Sequence, residues 1–156
     1  MSKSLQRVTD ALTAAGLGSF VLEMDLETRT AAQAAEAAEC DVDQIAKSII
    51  FEGTESGTAI LFLTAGGNQV DIEKASAVVG EPLGRAHPKL VRDQTGFAIG
   101  GVAPVGHLNP IRCFMDPKLA DYSVIYAAAG TPKHIFPITP DDLVGVTGAK
   151  TVAFTT

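Results

Sequence analysis

Five apolar residues in a row, Ala59-Ile60-Leu61-Phe62-Leu63, constrain this chain more than any other stretch. A strand with one face in water alternates polar and apolar residues. An unbroken run has no face to give to water and reads as a strand buried on both faces. Both faces then need cover, and amphipathic or small-residue helices must come from elsewhere in the chain. Ser4 to Ala15 repeats Leu5, Val8, Leu12 and Ala15 at helical spacing, with Gly16 as C-cap. Thr30 with Gln33 three residues on forms a capping box ahead of an alanine-rich helix. Helices are also predicted from Ile72 to Val79, closed by Gly80, and from Pro88 to Gln94, ended by Gly96. A last one starts at Thr139-Pro140-Asp141-Asp142 and stops near Gly148. Between them, strands are predicted over Ser19 to Met24, Ser48 to Glu52, Ile111 to Met115, Tyr122 to Ala128 and Ile135 to Ile138, with an edge strand from Val152 to Phe154. Ala65-Gly66-Gly67-Asn68 is a turn. At 156 residues, 46% apolar and 19% charged, the chain can bury one core, so an α/β fold in a single domain spanning 1–156 is expected.

Several function classes are disfavoured. No apolar run approaches the roughly 20 residues of a membrane helix, and Met1 to Asp10 lacks a signal-peptide core, so a cytoplasmic protein with no membrane partner is expected. Cys40 and Cys113 do not form a CxxC pair and read as separate thiols that fill the core. A net charge of −6 argues against a broad phosphate-tracking surface, and hence against DNA. It leaves room for a pocket that grips one nucleotide end. His87, His107 and His134 lie in separate loops without HExxH or HxH spacing, so no metal is expected. There is no GxSxG elbow, GxGxxG or GxxxxGK[ST], and no cofactor is expected.

Two stretches could carry chemistry. In Asp41 to Phe51 a helical turn opens at Asp41, supported by Gln44, and a strand leaves at Ser48. Lys47 sits between them amid Ile45, Ala46, Ile49 and Ile50. Burying an ammonium without a partner is costly. Either its stem lies along the core edge and the head snorkels to water, or the head points into a cleft and awaits an anionic or carbonyl oxygen. The second stretch, Gly96 to His107, contains Gly100, Gly101 and Gly106, and Pro104 stiffens it. It reads equally as a structural loop or as one that a ligand approaches closely. One amine and a set of backbone N–H groups could together bind a carbonyl, carboxylate or phosphate and stabilise charge developing on oxygen.

Thr28-Arg29-Thr30-Ala31 with Ala34-Ala35, then Gln44-Ile45-Ala46-Lys47-Ser48, then Gly100-Gly101-Val102-Ala103-Pro104-Val105-Gly106 occur in the order found in the YbaK/EbsC family. Gly130-Thr131-Pro132 and Thr139-Pro140-Asp141-Asp142-Leu143 match that family's C-terminal section. Nearly the whole chain resembles this family, which is related to the editing domain of bacterial prolyl-tRNA synthetases. The resemblance implies a mixed sheet of about six to seven strands surrounded by helices. It also implies a free-standing hydrolase that cleaves the ester of mischarged aminoacyl-tRNA, commonly a tRNA for proline carrying alanine or cysteine. The partners so implied are the aminoacyl-tRNA acceptor end and a prolyl-tRNA synthetase. The family's lysine maps onto Lys47, and its GxxxP-type loop onto Gly100 to Pro104, which makes Lys47, Gly101 and Pro104 the candidate catalytic residues. Thr30, Ser48, Gly100, Val102, Ala103, Gly106, His107, Gly130 and His134 are the candidate substrate-binding residues. Thr30 already has an N-cap role, and a loop histidine such as His134 also reads as plain surface. Where several family members carry a small polar residue near the Gly130 loop, this chain has Ala127, Ala128 and Ala129. Two other functions compete: a non-catalytic module that binds a nucleotide or aminoacyl group beside a synthetase, and a small-molecule esterase.

Overall fold

The apolar run Ala59 to Leu63 lies in strand β3, Ala59–Ala65, and every residue of that strand is buried. The structure is a computed structural model that describes residues 2–18, 21–25 and 30–156. Strand β2, Ile45–Gly53, runs antiparallel beside β3 from Ala46 opposite Ala65 to Glu52 opposite Ala59. On the other edge of β3, strand β5, Arg112–Met115, lies parallel.

Both faces of β3 are covered, as its composition requires. Leu61 and Leu63 look toward helix α1, Lys3–Ala14, whose Leu5, Val8 and Leu12 are buried in the same cluster. Ile60 and Phe62 look the other way, where Ala75 of helix α3, Ile72–Val79, closes the layer. Phe62 stands among Phe51, Phe114 and Phe154 at ring-centroid distances of 5.8, 5.5 and 5.0 Å. Edge-to-face and offset packing of this kind adds to simple burial.

The other helices are α2, Ala31–Ala38, α4, Pro88–Thr95, and α5, Pro140–Thr147. The other strands are β1, Leu22–Glu23, β4, Leu83–Arg85, β6, Ile125–Ala128, β7, His134–Ile138, and β8, Lys150–Thr151. Among the described residues the eight strands form one mixed sheet in the order β1-β7-β6-β2-β3-β5-β8, with β4 joined to β2. The sheet is therefore mixed, with one strand more than the six to seven expected. The extra strand is β4, three residues too short to show a period.

Strand β2 has an unusual second edge. Ile45 and Ala46 pair in parallel with Tyr126 and Ala127 of β6. Phe51 to Gly53 pair antiparallel with Arg85 to Leu83 of β4. Between those two ladders, residues 47–50 have no strand on this second edge among the described residues.

Three expectations need correction. The predicted start of β2 at Ser48 is three residues late, so Lys47 lies inside the strand and not at a hinge. The turn before it is a single 3-10 turn, Val42–Gln44. The Gln44 side chain accepts from the Asp41 N–H at 3.0 Å and donates to the Val124 carbonyl at 3.1 Å. That pins the turn beside β6, and the next residue enters the ladder. The final edge strand is Lys150–Thr151, because Phe154 is instead drawn into the aromatic cluster. Of the strand predicted over Ser19 to Met24, Leu22 and Glu23 pair with β7, while Ser19 and Phe20 lie outside the described residues. Cys40 and Cys113 are free thiols, and burial pushes the Cys113 thiol up to about 12.

Candidate active site

Lys47 decides between the two readings left open by its neighbours. It stands opposite Thr64 in the β2–β3 ladder, half-buried, in the wall of a cleft of about 530 Å³. Its Nζ donates to the Gly66 carbonyl at 3.2 Å. A carbonyl leaves the positive charge uncancelled, and among the described residues no carboxylate closes to ion-pair distance of it. Burial lowers the lysine's pKa from its ordinary value, while the charges of Asp43 and Asp116 pull the other way. The head is thus held in place, partly dehydrated, with donors to spare for an incoming oxygen.

The turn that holds it is built for close approach. A Cβ on Gly66 would lie 2.2 Å from the Val42 carbonyl oxygen and 2.9 Å from Cβ of Ala31, so only glycine lets the turn tuck against these residues. The Gly67 N–H donates to Asp43 Oδ1 at 2.8 Å. Asp116, 2% exposed, accepts from the Ala65 N–H at 3.1 Å, from Asn68 Nδ2 at 2.9 Å and from the Lys118 N–H at 3.0 Å.

Five of the candidate residues meet at the cleft: Thr30, Lys47, Ser48, Gly100 and Val102 all line it. Thr30 caps α2, its Oγ1 accepting from the Gln33 N–H at 3.1 Å. Thr28 and Arg29 lie outside the described residues. Gly101 and Ala103 are buried behind the lining, and the Gly101 N–H is taken up by the Ala98 carbonyl at 2.9 Å. Pro104, Gly106 and His107 border a different cavity, of about 290 Å³, between α1 and α5. His107 Nε2 is 2.7 Å from the Ala103 carbonyl, and burial holds its pKa below the usual histidine value. Gly130 supports α1, since a Cβ there would sit 2.9 Å from the Ser4 carbonyl oxygen. His134 borders a depression with Ser2, Leu5 and Glu23, its Nδ1 bonded to Thr131 Oγ1. The sequence reading drew these last five residues from two separate loops, and neither loop brings them to the lining of the Lys47 cleft.

The sequence reading missed the rest of the wall. Ala31, Ala32, Ala34, Ala46, Ala127 and Ala128 line it with small apolar side chains, and Tyr126 and Ile135 flank it. The alanine run at 127–129 was visible, and the pairing of β6 with β2 is what turns it inward. Arg7 was also missed. From α1 its Nε donates to the Gly106 carbonyl at 3.3 Å, another guanidinium nitrogen donates to the Gly96 carbonyl, and the group lies 4.9 Å over the Phe97 ring. It ties down both ends of the Gly96–Gly106 loop. Arg7→Ala is expected to cost about 1–2 kcal/mol, the loss of charge-assisted bonds at a partly exposed site. Thermal unfolding would show that as a fall of a few degrees. Among the described residues no three His, Cys, Asp or Glu side chains group as a metal site, and no helix is long and apolar enough to cross a membrane.

The arrangement can hold one oxyanion or carbonyl oxygen beside a small apolar recess. Comparisons with known proteins point the same way. Residues 26–146 match the sequence family described as the aminoacyl-tRNA editing domain. The uncharacterized protein YwhH of Bacillus subtilis (strain 168) is 31% identical over 140 residues, which cover 90% of this chain and 88% of YwhH. The proline–tRNA ligase of Chromobacterium violaceum is 33% identical over 103 residues, 63% of this chain and 18% of the ligase. A crystal structure put forward as a trans-editing enzyme for prolyl tRNA synthetase superposes with a TM-score of 0.93 at 44% identity, covering 100% of this chain and 99% of that one.

Proposed function

The chain belongs to the aminoacyl-tRNA editing domain family, and on that premise we propose that it is a trans-editing hydrolase that deacylates mischarged aminoacyl-tRNA, Ala- or Cys-tRNA(Pro) in particular. The observation that carries the reading is the meeting of the Lys47 amine, the Gly100 and Val102 backbone and an alanine-lined recess in one cleft. In the proposed reaction Lys47 binds the terminal phosphate or the ester oxygen region and orients the adenosine. Backbone N–H groups of the Gly100–Pro104 loop hold the acyl carbonyl and its tetrahedral oxyanion, with Gly100 and Val102 nearest the cleft and Gly101 shaping the turn. Dipoles fixed before reaction stabilise developing charge without reorganising. The attacking water is activated by the substrate's own ribose hydroxyl. Such a reaction takes place in the cytoplasm, where a prolyl-tRNA synthetase supplies the mischarged substrate.

Selection rests on size. A synthetase pocket separates side chains that differ by one methylene by only about 1–3 kcal/mol, and a second site that admits only small acyl groups makes up the shortfall. Six alanines in the cleft wall favour a small side chain. The test is a panel of tRNA(Pro) charged with alanine, cysteine, serine or proline, followed by loss of the ester. Alanine or cysteine is expected to be cleaved at least tenfold faster than proline. Binding without turnover identifies a non-catalytic module. Cleavage indifferent to the tRNA identifies a small-molecule esterase.

A further inference from the structure

The uncovered edge of β2 opens into the cleft, and its backbone polarity can be worked out from the ladder. The Gly53 N–H donates to the Thr58 carbonyl at 2.9 Å, so odd-numbered residues of β2 exchange hydrogen bonds with β3. Ser48 stands opposite Leu63, whose carbonyl is turned away and accepts from the Asp116 N–H at 2.9 Å. Ser48 is therefore a non-bonded position of the β2–β3 ladder, and alternation points its own N–H and C=O to the opposite edge. That edge carries β6 as far as Ala46 and β4 from Phe51, and nothing between them among the described residues. The cleft occupies this interval, and Ser48 lines it together with Ala127, Gly100 and Val102. A second observation falls on the same residue. The Ser48 Oγ is buried with no hydrogen-bond partner among the described residues, and a buried polar group is normally satisfied.

An unpaired strand edge is a template for another strand. An aminoacyl ester carries, on one Cα, an α-ammonium donor and a carbonyl acceptor. In a closely spaced antiparallel pair, two residues exchange both of their N–H···O bonds. The geometry points to Ser48 as the subsite for the aminoacyl backbone: its carbonyl accepts from the α-ammonium, and its N–H donates to the ester carbonyl oxygen. The inference rests on the deacylase reading and deepens it. The substrate's amino acid acts as a one-residue strand laid in the gap between β6 and β4. During hydrolysis the water oxygen adds to the acyl carbon and the carbonyl electron pair moves onto the oxygen that faces the Ser48 N–H. Collapse breaks the bond to the ribose oxygen, which leaves carrying the proton given up by the water. The products are the free amino acid and uncharged tRNA.

The test compares alanyl-tRNA(Pro) with propionyl-tRNA(Pro), which has the same carbon skeleton and lacks the α-nitrogen. Each enzymatic rate is divided by that ester's spontaneous hydrolysis rate. The corrected kcat/KM is expected to fall tenfold or more for the propionyl ester. A second arm uses Ser48→Pro, which removes the edge N–H at a position where the β3 ladder does not need it. It is expected to lower kcat on the alanyl ester about a hundredfold while the melting temperature stays within a few degrees of wild type. If that variant does not fold, the wild-type comparison of the two esters decides alone. Equal corrected rates on both esters overturn the subsite and leave the deacylase reading standing. Failure of the wild type to cleave alanyl-tRNA overturns both.

Discussion

Lys47→Ala is expected to abolish measurable ester hydrolysis, with kcat down by a hundredfold or more and thermal stability nearly unchanged. Removing one preorganised charge or donor from a transition-state site costs roughly 10²–10³ in rate. The stability side is different. Lys47 is half-buried, and its one hydrogen bond among the described residues is to the Gly66 carbonyl. Losing it releases a partly dehydrated charge, so the two effects oppose and the net change stays within about 1 kcal/mol. Lys47→Arg restores the charge, yet its planar fork cannot occupy the same place beside Gly66, and it is expected to recover only a small part of the rate. The pH profile supplies an independent check. Burial lowers the Lys47 pKa. The protonated amine is present below that value and is lost as pH rises through it, so deacylation should decline at a lower pH than an ordinary lysine would give. The stability linkage runs the opposite way: the unfolded chain holds this proton more tightly, so this group's contribution to stability improves as pH climbs from the folded pKa toward 10.5. An alkaline limb of kcat that coincides with a loss of structure would contradict this assignment. So would wild-type rates in Lys47→Ala.

How far the site could be read from residues alone depended on what kind of signal each one left. The apolar run at 59–63 carried its own meaning, because five consecutive apolar side chains admit no solvent-facing side, and the fold follows from covering it. The cap at Thr30 and the glycine stops at 80, 96 and 148 were equally local, and helices formed there. Lys47 stood out as a cation among isoleucines. What was not legible was direction. Gly100 and Pro104 are four residues apart, yet one lines the cleft and the other a cavity behind it. No spacing rule encodes on which side each residue of an irregular loop falls. Nor was the gap beside Ser48 legible, since it exists only because β6 and β4, about forty residues apart in sequence, cover different ends of β2 and leave the middle bare. Arg7 left no signal at all: a basic residue on an N-terminal helix is usually solvent-facing, and its partners lie 89 and 99 residues away.

Asp116→Ala is expected to damage stability and function together, and the reason lies in what one carboxylate does. Among the described residues it has no cation at ion-pair distance, and it instead gathers three donors: two backbone N–H groups and the Asn68 amide. The site is 2% exposed, so water cannot replace it. An orphaned buried donor costs about 1–3 kcal/mol, and with partial relaxation the sum is roughly 3–5 kcal/mol. For a chain of this size each kcal/mol lowers the melting temperature by roughly 2–4 °C, so a drop on the order of 10 °C should be seen by calorimetry or circular dichroism. The functional effect follows from connectivity. The Ala65 N–H and the Asn68 side chain bracket the Gly66 carbonyl, the acceptor that fixes Lys47. Once that bracket is released the amine loses its orientation, and misplacement of a positioning group by about 1 Å can cost a hundredfold in rate. Asp116→Asn separates the two roles. It keeps one acceptor oxygen but turns an amide N–H₂ toward donors, so it should recover part of the stability and little of the rate. Measured well below both melting temperatures, an Asp116→Ala protein with wild-type kcat would show that the carboxylate only holds the turn together and that Lys47 finds its place without it.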